Sequence, residues 1–291
     1  MPSIVVRAPA TSANLGAGFD SLGLALDLWN EVCATPGSLV SDDGQNLILR
    51  AARVVYEAVD APYPGFELRC TNRIIFNRGL GSSAAAIASG LLFANCSLGE
   101  PLGVSQLLEL AVDLEGHPDN VAPCLLGGVR VALRAEDGRV IHSRVPVSIP
   151  LAAVCFIPDQ HVPTPHARGL LPATVPLADA VFNVGRAGLL VAALASGQPE
   201  LLAEATRDRL HQPFRLPLFP AGATLLDAAM QAGAYGSFIS GAGPTVMALC
   251  ADSTDRVDAV VEALETTAMR LDIRGVALRL ALSERGAHVV A

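Results

Sequence analysis

The residues best placed to do chemistry lie between positions 77 and 86, where Asn77, Arg78, Gly79, Leu80 and Gly81 run into Ser82, Ser83, Ala84, Ala85 and Ala86. Glycine reaches backbone conformations that a β-carbon forbids and lets a ligand approach the main chain closely. Serine caps a helix start, and the free N–H groups and dipole there favour an anion by ~0.3–2 kcal/mol. A serine hydroxyl is also a ligand for a hard cation such as Mg²⁺. By residue type the segment is either an anion cradle feeding a helix or a plain helix start whose glycines serve tight packing. From Gly79 to Ala84 it also spells G-x-G-x-x-A, the dinucleotide fingerprint. That fingerprint needs a second strand carrying an acid about 20 residues past the glycines. Here the helical stretch meets Asn95, Gly99 and Pro101 and then a second helical stretch, and Glu100 falls in the loop between them. The dinucleotide reading lacks its context.

Composition narrows the chemistry further. The 291 residues carry a formal net charge of -8, which argues against nucleic acid or an anionic membrane as partner. No lysine occurs, so all 20 basic residues are arginines. This excludes a Walker-type loop and a lysine Schiff base. A triphosphate bound here must rely on backbone N–H groups, a helix dipole, a metal and arginine. Six cysteines stand far apart with no C-x-x-C pair, as expected of small buried residues in a reducing cytoplasm rather than a zinc site. The amino-terminal stretch turns polar too early for a signal peptide. The longest apolar run, 178–194, is interrupted by Asp179, Asn183 and Arg186, so no membrane span is expected.

The elements that must position the cradle follow from periodicity. Strands are expected at 3–8 and 23–32, a helix at 46–59 capped by Asn46, and a strand at 66–75 leading into the glycine loop. The stretch after Ala84 is apolar on all sides, as in a buried helix. A helix at 104–115 and two strands, 128–134 and 140–145, complete the first half. The proline-flanked segment 145–150 (VPVSIP) reads as a seam. Beyond it come a strand at 151–157, a long helix at 177–195, an irregular proline-rich passage, strands at 237–240 and 245–250, a helix at 255–268 and a strand at 276–282. The order β-α-β-β-α-β is the split-βαβ pattern of a ferredoxin-like domain.

Four segments stand in fixed order along the chain: 9–26 (PATSANLGAGFDSLGLAL), 77–86 (NRGLGSSAAA), 115–123 (EGHPDNVAP) and 240–246 (SGAGPTV). Together they resemble the kinase superfamily that includes galactokinase, mevalonate kinase and homoserine kinase. The first and third resemble the homoserine kinase branch specifically. Segments 164–172 (TPHARGLLP) and 208–215 (DRLHQPFR) extend the resemblance across nearly the whole chain. Ile75 and Ala17 stand where the family usually has prolines, which bears on loop rigidity rather than on a chemical group. The basic residue often found near the loop is represented by Arg73 and Arg78.

The resemblance implies an α+β, two-domain small-molecule kinase. Residues 1–147 would form an N-terminal mixed α/β sandwich that binds ATP, and 148–291 a ferredoxin-like C-terminal domain, with the substrate in the cleft between them. It implies ATP-dependent phosphorylation of the L-homoserine hydroxyl, with residues 78–86 as the phosphate loop. Ser83 and Glu109 would hold Mg²⁺, Glu109 by its spacing of eight residues before His117. Arg168 and Arg215 match carboxylate-binding arginines. Asn14, Asp20, His117, Asp119 and Thr164 match the remaining substrate contacts, while Gly241, Ala242 and Gly243 would support the phosphate loop. Asn120 stands where several relatives carry an aspartate proposed as base. An amide has no useful basicity, so Asn120 would orient the hydroxyl for direct transfer. The expected partners are small molecules, with no nucleic acid and no membrane. A homodimer is compatible with the sequence, which does not set the oligomeric state.

Overall fold

A computed structural model describes residues 3–37 and 45–290. The first half contains β1 (Ile4–Ala13), β2 (Leu22–Pro36), α1 (Leu47–Ala58), β3 (Phe66–Thr71), α2 (Ser82–Ser97), α3 (Val104–Glu115), α4 (Pro118–Leu126), β4 (Val129–Arg134) and β5 (Val140–Val145). The second contains β6 (Leu151–Pro158), α5 (Thr164–Gly169), α6 (Leu177–Ser196), α7 (Leu202–Ala205), α8 (Gln212–Arg215), α9 (Ala221–Gln231), β7 (Gly236–Ile239), β8 (Val246–Ala251), α10 (Thr254–Arg270), β9 (Gly275–Ala281) and β10 (His288–Val290).

Local chemistry sets the element starts. Asn46 caps α1 by accepting from the N–H groups of Ile48 and Leu49, satisfying two of the donors every helix start leaves free. Pro118 at the first position of α4 needs no N–H partner there, and His117 precedes it in extended conformation. This helix is a departure from expectation. A Pro-Asp-Asn run carries turn chemistry, yet all but the last residue of α4 is buried.

Two sheets result. The first has the order β10-β1-β2-β4-β5, with β3 also paired to β2. Its edge strand β10 comes from the far end of the chain and pairs antiparallel with β1, Val6 opposite Val289. The second sheet, β7-β8-β6-β9, is antiparallel throughout. With α6 and α10 as crossovers this is the split-βαβ arrangement expected of the second half.

The core explains why the two sheets do not form independent bodies. Along β6 every residue is buried, because both faces are covered. Ala152, Val154 and Phe156 point into a cluster under α9 and α10. Leu151, Ala153, Cys155 and Ile157 alternate with them and join the large core that contains β1, β2 and α2. The seam at 145–150 therefore marks a change of sheet, across which a shared apolar core continues. Helix α6 contrasts with this packing: it is long and apolar enough to cross a membrane by length and composition, yet Leu177, Val181 and Val184 are exposed while Asn183 is buried and Asp179 and Arg186 form ion pairs.

Candidate active site

A cleft between the sheets gathers Asn14, Asp20, Gly79, Gly81, Ser83, Glu115, His117, Asp119, Asn120, Thr164, Arg168, Arg215, Gly241 and Ala242. Its floor is the glycine loop. Gly79 and Gly81 have φ of +77° and +67°, the left-handed region, and a β-carbon on either would meet an oxygen at about 2 Å: Ser240 O for Gly79, Thr11 Oγ1 for Gly81. Glycine is required at both positions by conformation and by space. Thr11 N donates to Leu80 O at 3.1 Å, and Ser240 Oγ donates to Gly79 O at 2.6 Å. The loop is thus clamped between β1 and residues 240–243. Gly241 and Ala242 line the cleft as well as supporting the loop. Gly81 opens α2 with no side-chain cap, so the first N–H groups of this 16-residue helix remain available to an anion.

Three apolar side chains of the expected phosphate loop face the core, leaving only their backbone to a ligand. Leu80 is buried in the core and Ala84 and Ala85 pack inside α2. Arg78, expected at the phosphates, is only 6% exposed. Its Nε donates to Pro158 O at 2.7 Å, and its terminal nitrogens reach Phe76 O, Asp159 O and His161 Nδ1. With these acceptors filled, the guanidinium rivets the loop to the end of β6. Beside the loop lies a further cavity of about 280 Å³, lined by Val32, Cys70, Asn72, Phe76 and Ala86 among others.

Of the expected metal pair, Ser83 lines the cleft and Glu109 does not. Ser83 Oγ instead hydrogen-bonds Glu115. Both acids sit on α3, but six residues at about 100° each put them on different sides of the helix, and Glu109 does not line the cleft. Chain spacing pointed to Glu109; helix geometry points to Glu115, whose signal was its place two residues before His117 in the EGHPDN run. Burial raises the Glu115 carboxyl above its usual value, against the pull of Ser83 and His117. Two hard oxygen donors side by side in front of a helix N-terminus fit Mg²⁺.

The opposite wall is built from charges. Arg168, on α5, forms a bidentate pair with Asp20, both contacts at 2.8 Å, and Asp20 N donates to Asn14 Oδ1 at 3.0 Å. His117 Nδ1 lies 2.5 Å from Asp119 Oδ1. Burial opposes a charge on His117, but Asp119, Glu115 and Asp20 together outweigh it and raise its pKa. Asp20, His117 and Asp119 offer atoms within 4.8 Å of one another, with Asp20 already paired to Arg168 and Asp119 in contact with His117. Arg215, 3% exposed, donates from Nη1 to Gly241 O at 2.8 Å, while its buried Nε has no partner. Burial and the neighbouring Arg168 lower its pKa. Arg168 and Arg215 both lie over the Phe19 ring, a contact that no motif announced. Asn120 Oδ1 accepts from Thr11 Oγ1 at 2.7 Å, which leaves the amide NH₂ as the group free for the cleft.

A backbone-built anion cradle facing a cluster of paired charges, at the join of two sheets, fits a small-molecule kinase. Residues 46–128 match the GHMP kinases N terminal domain and residues 190–270 match the GHMP kinases C terminal domain. A homoserine kinase of Synechococcus sp. is 42% identical over 98% of this chain and 97% of its own. One from Moorella thermoacetica is 41% identical over 98% and 99%. The crystal structure of homoserine kinase from Cytophaga hutchinsonii superposes with a TM-score of 0.88 at 32% identity, covering 100% of this chain and 98% of that one. The chain belongs to the homoserine kinase family of GHMP kinases.

Proposed function

We propose that the protein transfers the γ-phosphoryl group of ATP to the side-chain hydroxyl of L-homoserine, giving ADP and O-phospho-L-homoserine for threonine biosynthesis. The observation that carries this reading is the sign pattern of the acceptor wall. A zwitterion needs a cation for its carboxylate and anions for its amine. Arg215 lines the cleft with a guanidinium whose Nε has no partner, and Asp20 and Asp119 line the same cleft to meet the amine. A buried donor left unpaired costs about 1–3 kcal/mol, so a carboxylate that satisfies it gains correspondingly.

The free N–H groups at the start of α2 hold the β- and γ-phosphates, and the adjoining cavity receives the adenine. Ser83 and Glu115 would hold Mg²⁺, which would supply positive charge to offset that of the phosphates. Asn120 donates from its NH₂ to the acceptor hydroxyl, since Thr11 occupies its oxygen. Neither group accepts a proton there. Transfer is direct, with the proton leaving late to solvent or to the transferred group, which a loose transition state tolerates. The nucleotide belongs to the part of the chain within 1–147, the carboxylate-binding arginines to 148–291. All six cysteines are unpaired, in keeping with a cytoplasmic enzyme. An ADP-release assay with Mg-ATP against L-homoserine, mevalonate, galactose and water tests the reading. Homoserine should dominate, and turnover no faster than with water for every alcohol would refute it.

A further inference from the structure

His211 is completely buried and has none of the roles assigned above. It precedes α8, four residues before Arg215, and its ring stacks on Phe19 with centroids 5.3 Å apart. Its two nitrogens have different partners. Nδ1 lies 3.2 Å from Arg215 Nη1, and Nε2 lies 2.8 Å from the carbonyl oxygen of Gly16. A guanidinium nitrogen only donates and a carbonyl oxygen only accepts. One form of the ring satisfies both contacts: the neutral imidazole, with its lone pair on Nδ1 and its proton on Nε2.

The surroundings support that form. Asp208, 3.6 Å from Nε2, accepts from the backbone N–H groups of Leu210, His211 and Gln212 and from the Asn183 amide. Its charge is answered without a proton on His211. Burial holds the imidazole pKa well below its usual value, helped by Arg215 and opposed by Asp208. The same network reaches the loop after β1 a second time, because Asn183 Nδ2 also donates to Ala17 O at 3.3 Å.

We propose that His211 is a positioning residue for the acceptor site. As the neutral Nε2–H form, it joins the Arg215 guanidinium to the loop of residues 14–20. That loop carries Asn14 and Asp20, and Asp20 in turn holds Arg168. One imidazole thereby fixes the carboxylate-binding cation relative to the amine-binding anion. The inference rests on the homoserine reading and adds a residue that touches neither substrate.

The test combines kinetics with the ring's protonation. His211→Leu removes both contacts, whereas His211→Asn keeps an acceptor near the place of Nδ1. The leucine variant is expected to raise the KM for L-homoserine roughly 10- to 100-fold, the loss of a hydrogen bond to a charged group. The KM for ATP should stay within about twofold. The asparagine variant should recover most of the homoserine affinity. In the wild-type protein, ¹⁵N NMR should find Nδ1 unprotonated near neutral pH, and this readout remains if a variant fails to fold. A protonated Nδ1, or equal rises in both KM values among folded variants, would overturn the proposal. A wild type that phosphorylates no homoserine would bring down the functional reading and the proposal together, while leaving the ring's protonation signature intact.

Discussion

The two ends of the cleft are made of different material. The end proposed for the nucleotide is mostly backbone, two glycines in left-handed conformation and the open N-terminus of α2, with the side chains of Ser83 and Glu115 beside them. The acceptor end is side chain, drawn from β1's following loop, α4, α5 and α8 and held by charge pairs and buried hydrogen bonds. A chain without lysine has little choice at the first end. At the second, arginine's rigid fork suits a carboxylate better than a point charge would. The contrast teaches that an anion cradle can be written in adjacent residues, even where distant contacts brace it, whereas a wall of mixed charges is assembled only by tertiary structure.

Substitutions at the two ends should therefore separate cleanly. The largest effect is expected from Glu115→Gln, which should lower kcat/KM roughly 10²–10³-fold and raise the Mg²⁺ requirement. Glu109→Gln should leave the Mg²⁺ titration within about twofold of wild type. The reverse ranking would restore the spacing argument over the geometric one. Arg215→Ala should raise the KM for homoserine roughly 10- to 100-fold while sparing that for ATP. Equal effects on both would break the division between the ends. Asn120→Ala sits at the meeting point and should lower kcat about tenfold with both KM values nearly constant, as expected for loss of one orienting hydrogen bond. The smallest catalytic effect belongs to Arg78→Ala. Because Arg78 braces the loop from behind, the KM for ATP should rise only about three- to tenfold, with a fall in melting temperature of about 3–6 °C.

Legibility followed the same division. Gly79, Gly81 and Ser83 could be read from the chain because a left-handed turn before a helix is encoded by adjacent residues. The β-α-β-β-α-β order was readable from alternation and turn residues. Glu109 was named by its spacing, whereas Glu115 is the acid that lines the cleft beside Ser83, because counting along a chain ignores the angle at which a helix presents each side chain. Arg78 was placed in the phosphate loop by resemblance; its acceptors on Pro158 and Asp159 are 80 and 81 residues away. Strand β10 is three residues long, too short for a periodic signal, and becomes a strand only by pairing with β1. Thr11, Phe19 and His211 act through partners that no local pattern reveals. Their contacts cross between segments far apart in sequence.

The central claim is that both ends serve one direct transfer from ATP to homoserine. ³¹P NMR of the wild-type protein with Mg-ATP and L-homoserine tests it most directly. A phosphomonoester of the homoserine hydroxyl should accumulate in step with ADP. ADP accompanied by an equal amount of inorganic phosphate, or no ADP at all, would contradict it.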